Sequence, residues 1–238
     1  MSKPKVIFLD AVGTLFGVRG SVGEIYSQFA QGFGVEVSAD LIDQTFSESF
    51  RKAPPAAFPD IEHQELDSYE FDWWKAIAFD TFSQAEVIDQ FTDFDRFFNE
   101  LYYYFATLYP WFVYPEVKSA LLSWKNQGIE LGVISNFDSR LHKVLNALGL
   151  KHFMKSITIS TEVGAAKPNS KIFQVALAKH GYKPHQALHI GDSYEEDYLG
   201  AIEAGFSPIW LQRQSQHPEL FKVAKGKVWS GFQASAFF

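Results

Sequence analysis

Val6-Ile7-Phe8-Leu9-Asp10-Ala11-Val12-Gly13-Thr14-Leu15 opens with four consecutive apolar residues and ends them on a carboxylate. An unbroken apolar run suits a strand buried on both faces, as in a parallel sheet, better than a strand with one face in water. In an open α/β sheet, ligands bind beyond the carboxyl ends of the strands. Asp10 is therefore a candidate functional group.

The same pattern recurs further along. Residues 129–134 are rich in apolar side chains and lead into Ser135-Asn136. Ile157-Thr158-Ile159 is a third strand candidate, Leu188-His189-Ile190 a fourth that runs into Gly191-Asp192, and Pro208-Ile209-Trp210-Leu211 a fifth. Between them, apolar residues fall at helical spacing over 116–125, 140–148 and 170–179, and a helix after Asp197 ends near Gly205. Alternating strands and helices predict a doubly wound, Rossmann-like α/β core built on a parallel sheet. The first strand stands apart, about a hundred residues before the second. The intervening stretch is helical and aromatic, with Phe91, Phe94, Phe98, Leu101, Phe105 and Leu108 on a helical period. An inserted helical cap over 17–111 is expected, with the core made of 1–16 and 112–238. Gly17 and the chain near Pro110 are candidate hinges. The aromatic run and Trp73-Trp74 are expected mainly to pack the cap, although one ring could face a cleft.

The chain has 238 residues, 47% of them hydrophobic, enough for a sizeable core. A net charge of −7 without a run of Lys and Arg argues against nucleic acid as a partner. With no Cys, thiolate chemistry and disulfides are excluded. The apolar run at Val6 is too short for a signal-peptide core or a membrane span. A cytoplasmic monomer or homodimer with no membrane partner is expected.

The polar residues at the strand ends have distinct chemical uses. Asp10 can attack phosphorus or carbon and form a covalent intermediate. Ser135 and Asn136 can hold transferring oxygens, and Lys167 can neutralise both nucleophile and phosphoryl group. Asp192 and Asp197 are hard oxygen donors of the kind Mg²⁺ takes. Each also has a structural reading. Ser135-Asn136 could cap a helix or form a turn, Asp192 could be an N-cap, and Asp197 with Glu196 could be first-turn acids. Thr14 could bond only its own loop, and His189, inside a strand, is expected to be a satisfied core group.

Taken in order, Asp10-Ala11-Val12-Gly13-Thr14-Leu15, Ser135-Asn136, Lys167-Pro168 and Gly191-Asp192 with Asp197 resemble the four motifs of the haloacid dehalogenase superfamily. The long insertion after the first strand resembles the cap of its subfamily I. The resemblance implies a hydrolase acting on a small phosphorylated substrate, with Asp10 as nucleophile and metal ligand. It implies that the Val12 carbonyl also touches Mg²⁺, that Asp192 binds the ion and that Asp197 supports it. Thr14, Ser135, Asn136 and Lys167 would contact the phosphoryl group.

One position departs from that pattern. Phosphatases of the family carry a second Asp two residues after the nucleophile, as general acid and base; here it is Val12. General acid–base catalysis contributes about 10²–10⁴-fold, so a handicapped phosphatase is expected unless Arg19, Glu24 or a cap residue such as His63 substitutes. Two alternatives stay open: a regulatory or phosphate-binding protein with a weak site, and a 2-haloacid dehalogenase, in which halide leaves without a proton. The acidic pair Asp192 and Asp197 argues against the dehalogenase. A cleft filled by aromatics would argue against a small phosphorylated metabolite.

Overall fold

A computed structural model of the chain describes residues 3–213 and 227–229. The elements in chain order are β1 (Val6–Leu9), β2 (Phe16–Val18), α1 (Val22–Gly32), α2 (Ala39–Lys52), α3 (Leu66–Gln84) and α4 (Phe94–Tyr104). They continue as β3 (Trp111–Val113), α5 (Val117–Asn126), β4 (Glu130–Ser135), α6 (Leu141–Ala147), β5 (Ser156–Ile159), α7 (Ser160–Val163) and α8 (Ser170–Ala178). Then come β6 (Ala187–Gly191), a π-helical turn (Tyr194–Leu199), α9 (Gly200–Glu203), β7 (Ser207–Leu211) and β8 (Lys227–Trp229).

Six strands form one parallel sheet in the order β5-β4-β1-β6-β7-β8. β1 lies between β4 and β6, and its four residues are fully buried, as the apolar run requires. Residues of the sheet and its helices build clusters on both faces, one around Leu9, Trp124, Leu131 and Val144, the other around Phe8, Ile134 and Phe173. Each large apolar side chain so buried contributes about 1.5–3 kcal/mol. This is the doubly wound architecture that the alternation predicts. The predicted strands and core helices fall within a residue or two of their observed bounds.

The chain leaves the sheet through β2 and returns through β3, and these two short strands pair antiparallel, Gly17 opposite Phe112. The Arg19 N–H also donates to the Pro110 carbonyl at 2.8 Å. The two stretches marked as hinges thus lie side by side in one ribbon, which the sequence reading did not foresee. Between them, α1–α4 pack around their own cluster, with Ile25, Tyr26, Phe82, Phe97 and Phe98 buried. Side-chain caps set where three of these helices begin: Ser21 accepts from the Glu24 N–H, Ser38 from Leu41 and Asp93 from Arg96. The Asp93 cap explains why the apolar spacing that starts at Phe91 overruns the helix, which runs only from Phe94 to Tyr104. No helix among the described residues is long and apolar enough to cross a membrane.

Candidate active site

Strand register brings the predicted residues together. Leu9 is level with Val133 on one side and Ile190 on the other, so Asp10, Ser135 and Asp192 leave the sheet side by side. The Asp10 N–H donates to the Ile190 carbonyl at 2.9 Å, which ties the start of the loop to β6. Gly13 then turns with φ +83°, and a Cβ there would lie 2.2 Å from Asp192 Oδ2. Only glycine lets this loop pass so close to that carboxylate.

Lys167 joins the acids. Its buried Nζ donates to Asp10 Oδ1 at 2.7 Å and to Asp197 Oδ1 at 2.5 Å. Burial alone would lower the lysine's pKa, but the two carboxylates outweigh it and hold the ammonium well above its ordinary value. Asp197 also accepts from His189 Nε2 at 2.8 Å and, through Oδ2, from the Ser193 N–H at 3.1 Å. Burial would raise its carboxyl, yet Lys167 and His189 prevail and depress it. Asp10 must share the lysine with this better-supported acid. Burial, incompletely offset by Lys167, leaves Asp10 above the ordinary carboxylate range. Asp192 opens on solvent at the site's edge, yet desolvation by the surrounding protein, with Asp10 and Asp197 beside it, pushes it up to about 7.

These acids fit a divalent cation. Asp10, Asp192 and Asp197 each bring a carboxylate oxygen within 4.8 Å of the others. Three carboxylates against one ammonium leave a formal surplus of two negative charges when all are ionised. Hard oxygen donors with surplus charge could hold Mg²⁺. Asp197 already accepts three hydrogen bonds, whereas Asp192 accepts one side-chain bond, from Thr14 Oγ1 at 3.4 Å. Asp10 and Asp192 are thus the freer ligands.

Two predicted phosphate contacts have other partners. Asn136 clasps the Lys167 backbone: its Nδ2 donates to the Lys167 carbonyl at 3.0 Å, and its Oδ1 accepts from the Lys167 N–H at 2.7 Å. Thr14, fully buried, steadies Asp192. Ser135 is buried at the end of β4 beside Asp10. Two supporting residues escaped the sequence reading. His189 is buried, as expected, but it is only half satisfied: its Nε2 supports Asp197 directly, and its buried Nδ1 has no partner among the described residues. Arg213 clamps the first loop, donating to the Gly13 carbonyl at 3.0 Å and the Thr14 carbonyl at 2.6 Å, and pairing with Glu116. An alternating strand pattern could have suggested that His189 faces a neighbour, but nothing local links Arg213 to a loop some 200 residues away.

A cleft of about 710 Å³ lies between the sheet ends and the helical insertion. Val12, Asn136 and Lys167 form its inner end, and Phe50, Trp73 and Trp74 belong to its outer wall. Phe98, Leu101, Tyr102 and Phe105, from the aromatic run, line it as well. That run is therefore both core and cleft wall. Arg19, Glu24 and His63 do not line it; Glu196 does, against Asn136.

The insertion is fastened to the loop that follows Ser135. Trp74 Nε1 donates to Asp138 Oδ2 at 2.7 Å, and Arg140 donates from Nη1 to the Tyr102 carbonyl at 2.8 Å. Arg140 also pairs with Asp138 at 2.7 Å in a buried salt bridge, its guanidinium 3.7 Å from the Tyr102 ring centroid. Glu70 on α3 accepts from the Ser139 N–H and hydroxyl and from Thr161.

Comparison with known proteins shows the family of the chain. Residues 4–205 match a family model described as haloacid dehalogenase-like hydrolase. Haloacid dehalogenase-like hydrolase domain-containing protein 3 of Danio rerio is 33% identical over 208 residues, covering 87% of this chain and 85% of that protein. Glyceraldehyde 3-phosphate phosphatase of Methanothermobacter thermautotrophicus is 38% identical, but over 51% of this chain and 53% of its own. Among solved structures, a HAD phosphatase from Thermococcus onnurineus superposes with a TM-score of 0.61 at 21% identity, over 94% of this chain and 99% of its own; it shares the fold. A family model running from the first strand almost to the last predicted one, and a relative one-third identical over most of both chains, leave one conclusion: the chain belongs to the haloacid dehalogenase-like hydrolases.

Proposed function

We propose that the protein is a Mg²⁺-dependent phosphatase in which Asp10 attacks the phosphorus of a phosphate ester, with the helical insertion over 17–111 acting as its cap. The observation that carries this reading is the doubly bonded Lys167, which fixes Asp10 at a strand end beside two further acids. Lys167 holds the Asp10 carboxylate in place and offers its positive charge to the incoming phosphoryl oxygens. Ser135, beside Asp10, donates to one of those oxygens, while Asn136 and His189 keep Lys167 and Asp197 in register. The Mg²⁺ ion, when bound, offsets the carboxylate charges and polarises the phosphoryl group.

In the first step an Asp10 oxygen forms a bond to phosphorus and the bond to the ester oxygen breaks, that oxygen leaving with the electron pair. Val12 has no proton to give, so the leaving oxygen carries its charge into solvent unless the Glu196 carboxyl of the cleft protonates it. In the second step water attacks phosphorus, Asp10 is released as carboxylate, and the water's proton passes to solvent. The aromatic wall of the cleft moves the reading away from a compact, hydroxyl-rich metabolite.

Phosphate release from acetyl phosphate, nitrophenyl phosphate and sugar phosphates, with Asp10→Asn and a chelator as controls, tests the proposal. Release that requires Asp10 and Mg²⁺ and is fastest with good leaving groups is the expected result. Glu196→Gln in the same series tells whether that cleft carboxyl serves poor leaving groups. No release from any substrate, with Mg²⁺ still bound, would favour a phosphate-binding or regulatory protein. Halide release from a 2-haloacid without added metal would favour the dehalogenase, which Val12 also suits.

A further inference from the structure

We propose that the substrate is an aryl phosphate, a phosphate monoester of a phenol-type hydroxyl on an extended apolar body. The inference rests on the phosphatase reading above, and two independent features lead to it: the wall of the cleft and the residue that follows the nucleophile.

At about 710 Å³ the cleft is in the range that encloses a drug-sized ligand, and a three-carbon phosphate would leave most of it to water. Its outer part is a built aromatic surface. Phe50 and Trp74 stack with centroids 5.8 Å apart, and Trp73 meets Trp74 edge-on at 4.8 Å. The polar atoms of the Trp73–Trp74 stretch of this wall are already engaged, while Tyr26, Arg51, Tyr102, Glu195 and Glu196 also line the cleft. Trp73 Nε1 donates to the Pro54 carbonyl, Trp74 Nε1 to Asp138, and Arg140 to Asp138 and the Tyr102 carbonyl. Asn136 is taken up by the Lys167 backbone. A polyol laid against that aromatic stretch would give up its water and regain few hydrogen bonds, which costs affinity at each buried hydroxyl. An aromatic body loses nothing of that kind and gains ring contacts.

The chemistry at the inner end agrees. Where a general acid would stand, Val12 lines the cleft and carries no group that can give a proton. Without a carboxyl at this position, an oxygen able to depart as an anion is the better leaving group. A phenol ionises near pH 10, as tyrosine does, whereas water ionises at about 15.7, and aliphatic alcohols are closer to water. An aryl ester thus carries its own remedy for the missing acid. In the balanced step, Asp10 bonds to phosphorus, the aryl oxygen leaves with the P–O electron pair as phenolate, and that phenolate takes a proton from water outside the cleft. The apolar body that fills the wall and the weakly basic oxygen that needs no acid are parts of one molecule.

The test uses the full chain with Mg²⁺ and compares kcat/KM for acetyl phosphate, phenyl phosphate, 2-naphthyl phosphate and glycerol phosphate. Phenyl and 2-naphthyl phosphate have nearly equal leaving groups, so their ratio reads the cleft and not the chemistry. A gain of about tenfold or more for naphthyl is expected from the extra ring buried, with glycerol phosphate slowest. Phe50→Ala and Trp73→Ala should each shrink the naphthyl-to-phenyl ratio. Acetyl phosphate turned over through Asp10, with naphthyl no better than phenyl or with glycerol phosphate faster than both, would overturn the aryl substrate and leave the phosphatase reading standing. If acetyl phosphate too is inert, the phosphatase reading fails, and binding of 1-naphthylphosphonate decides the cleft. Saturable quenching of tryptophan fluorescence, weakened by Phe50→Ala, supports an aryl-anion site there; no binding overturns it.

Discussion

At the scale of single residues, Val12 separates two kinds of chemistry. Its backbone bridges to Phe16 across the turn at Gly13, and the residue lines the cleft two positions after Asp10. Val12→Asp would put a carboxyl where a leaving oxygen could take a proton. It should raise turnover of glycerol phosphate by about 10²-fold or more, and that of acetyl phosphate far less, because a positioned acid matters most where the leaving group is poor. Parallel kcat measurements on the two substrates check this; equal gains on both would mean that Val12 does not face the leaving group. That position was readable without a structure, because two residues separate nothing: Asp10 and Val12 stand in one loop. Asp10 and Asp192 were readable as neighbours too, since each directly follows a strand and those strand ends lie side by side, whereas Lys167, after α7, and Asp197, in the π-helical turn, reach them through connecting segments. Asn136 and Thr14 were legible as site residues, but their partners were not, because side-chain direction decides between phosphate and protein. His189 and Arg213 act through contacts that only the folded sheet creates.

At the scale of elements, the joint between α3 and the loop after β4 governs how the insertion sits over the site. Glu70 carries it, with Ser139 Oγ at 2.5 Å and Thr161 Oγ1 at 2.5 Å from its carboxylate. Glu70→Ala strands these donors in a buried place, and a loss of about 1–3 kcal/mol is expected in chemical denaturation. The joint also has a pH signature. Burial raises the Glu70 carboxyl above its ordinary value, more than the hydrogen bonds from Ser139 and Thr161 lower it. The folded state therefore holds this proton more tightly than the unfolded chain. The group's contribution to stability is complete below the unfolded pKa and is lost as pH rises through the folded one. Glu70→Gln does not titrate, so the Tm of the native protein minus that of Glu70→Gln should fall as pH is raised from 4 upward. A difference that grew with pH would show that the hydrogen bonds outweigh burial. Sequence alone placed β4 and a helical stretch over 17–111, but neither the bounds of α3 nor this joint, since nothing local links Glu70 to Ser139 some 69 residues away.

At the scale of the whole molecule, two hydrophobic clusters, one in the sheet and one among α1–α4, meet across a boundary that holds charge. Arg140 is 7% exposed and Asp138 1%, and between them they bond Trp74 and the Tyr102 carbonyl of the insertion. The long aromatic stretch reads from sequence as packing for a helical unit. It serves that purpose, but the faces left over become a cleft only because the boundary holds the insertion over the sheet. A boundary built on paired charges penalises separation, because parting the units would leave Asp138 and Arg140 without some of their partners. The insertion and the sheet should therefore unfold together, in a single calorimetric transition. Arg140→Met removes one partner and leaves the Asp138 carboxylate buried without its guanidinium. Breaking a buried pair in this way costs about 3–5 kcal/mol. The variant should melt well below the native protein, and its insertion should come loose first, splitting the transition in two. A variant that melts lower but still in one step would mean that apolar contacts across the cleft, such as those between Phe105 and Trp111, couple the two clusters and that the charges only align them.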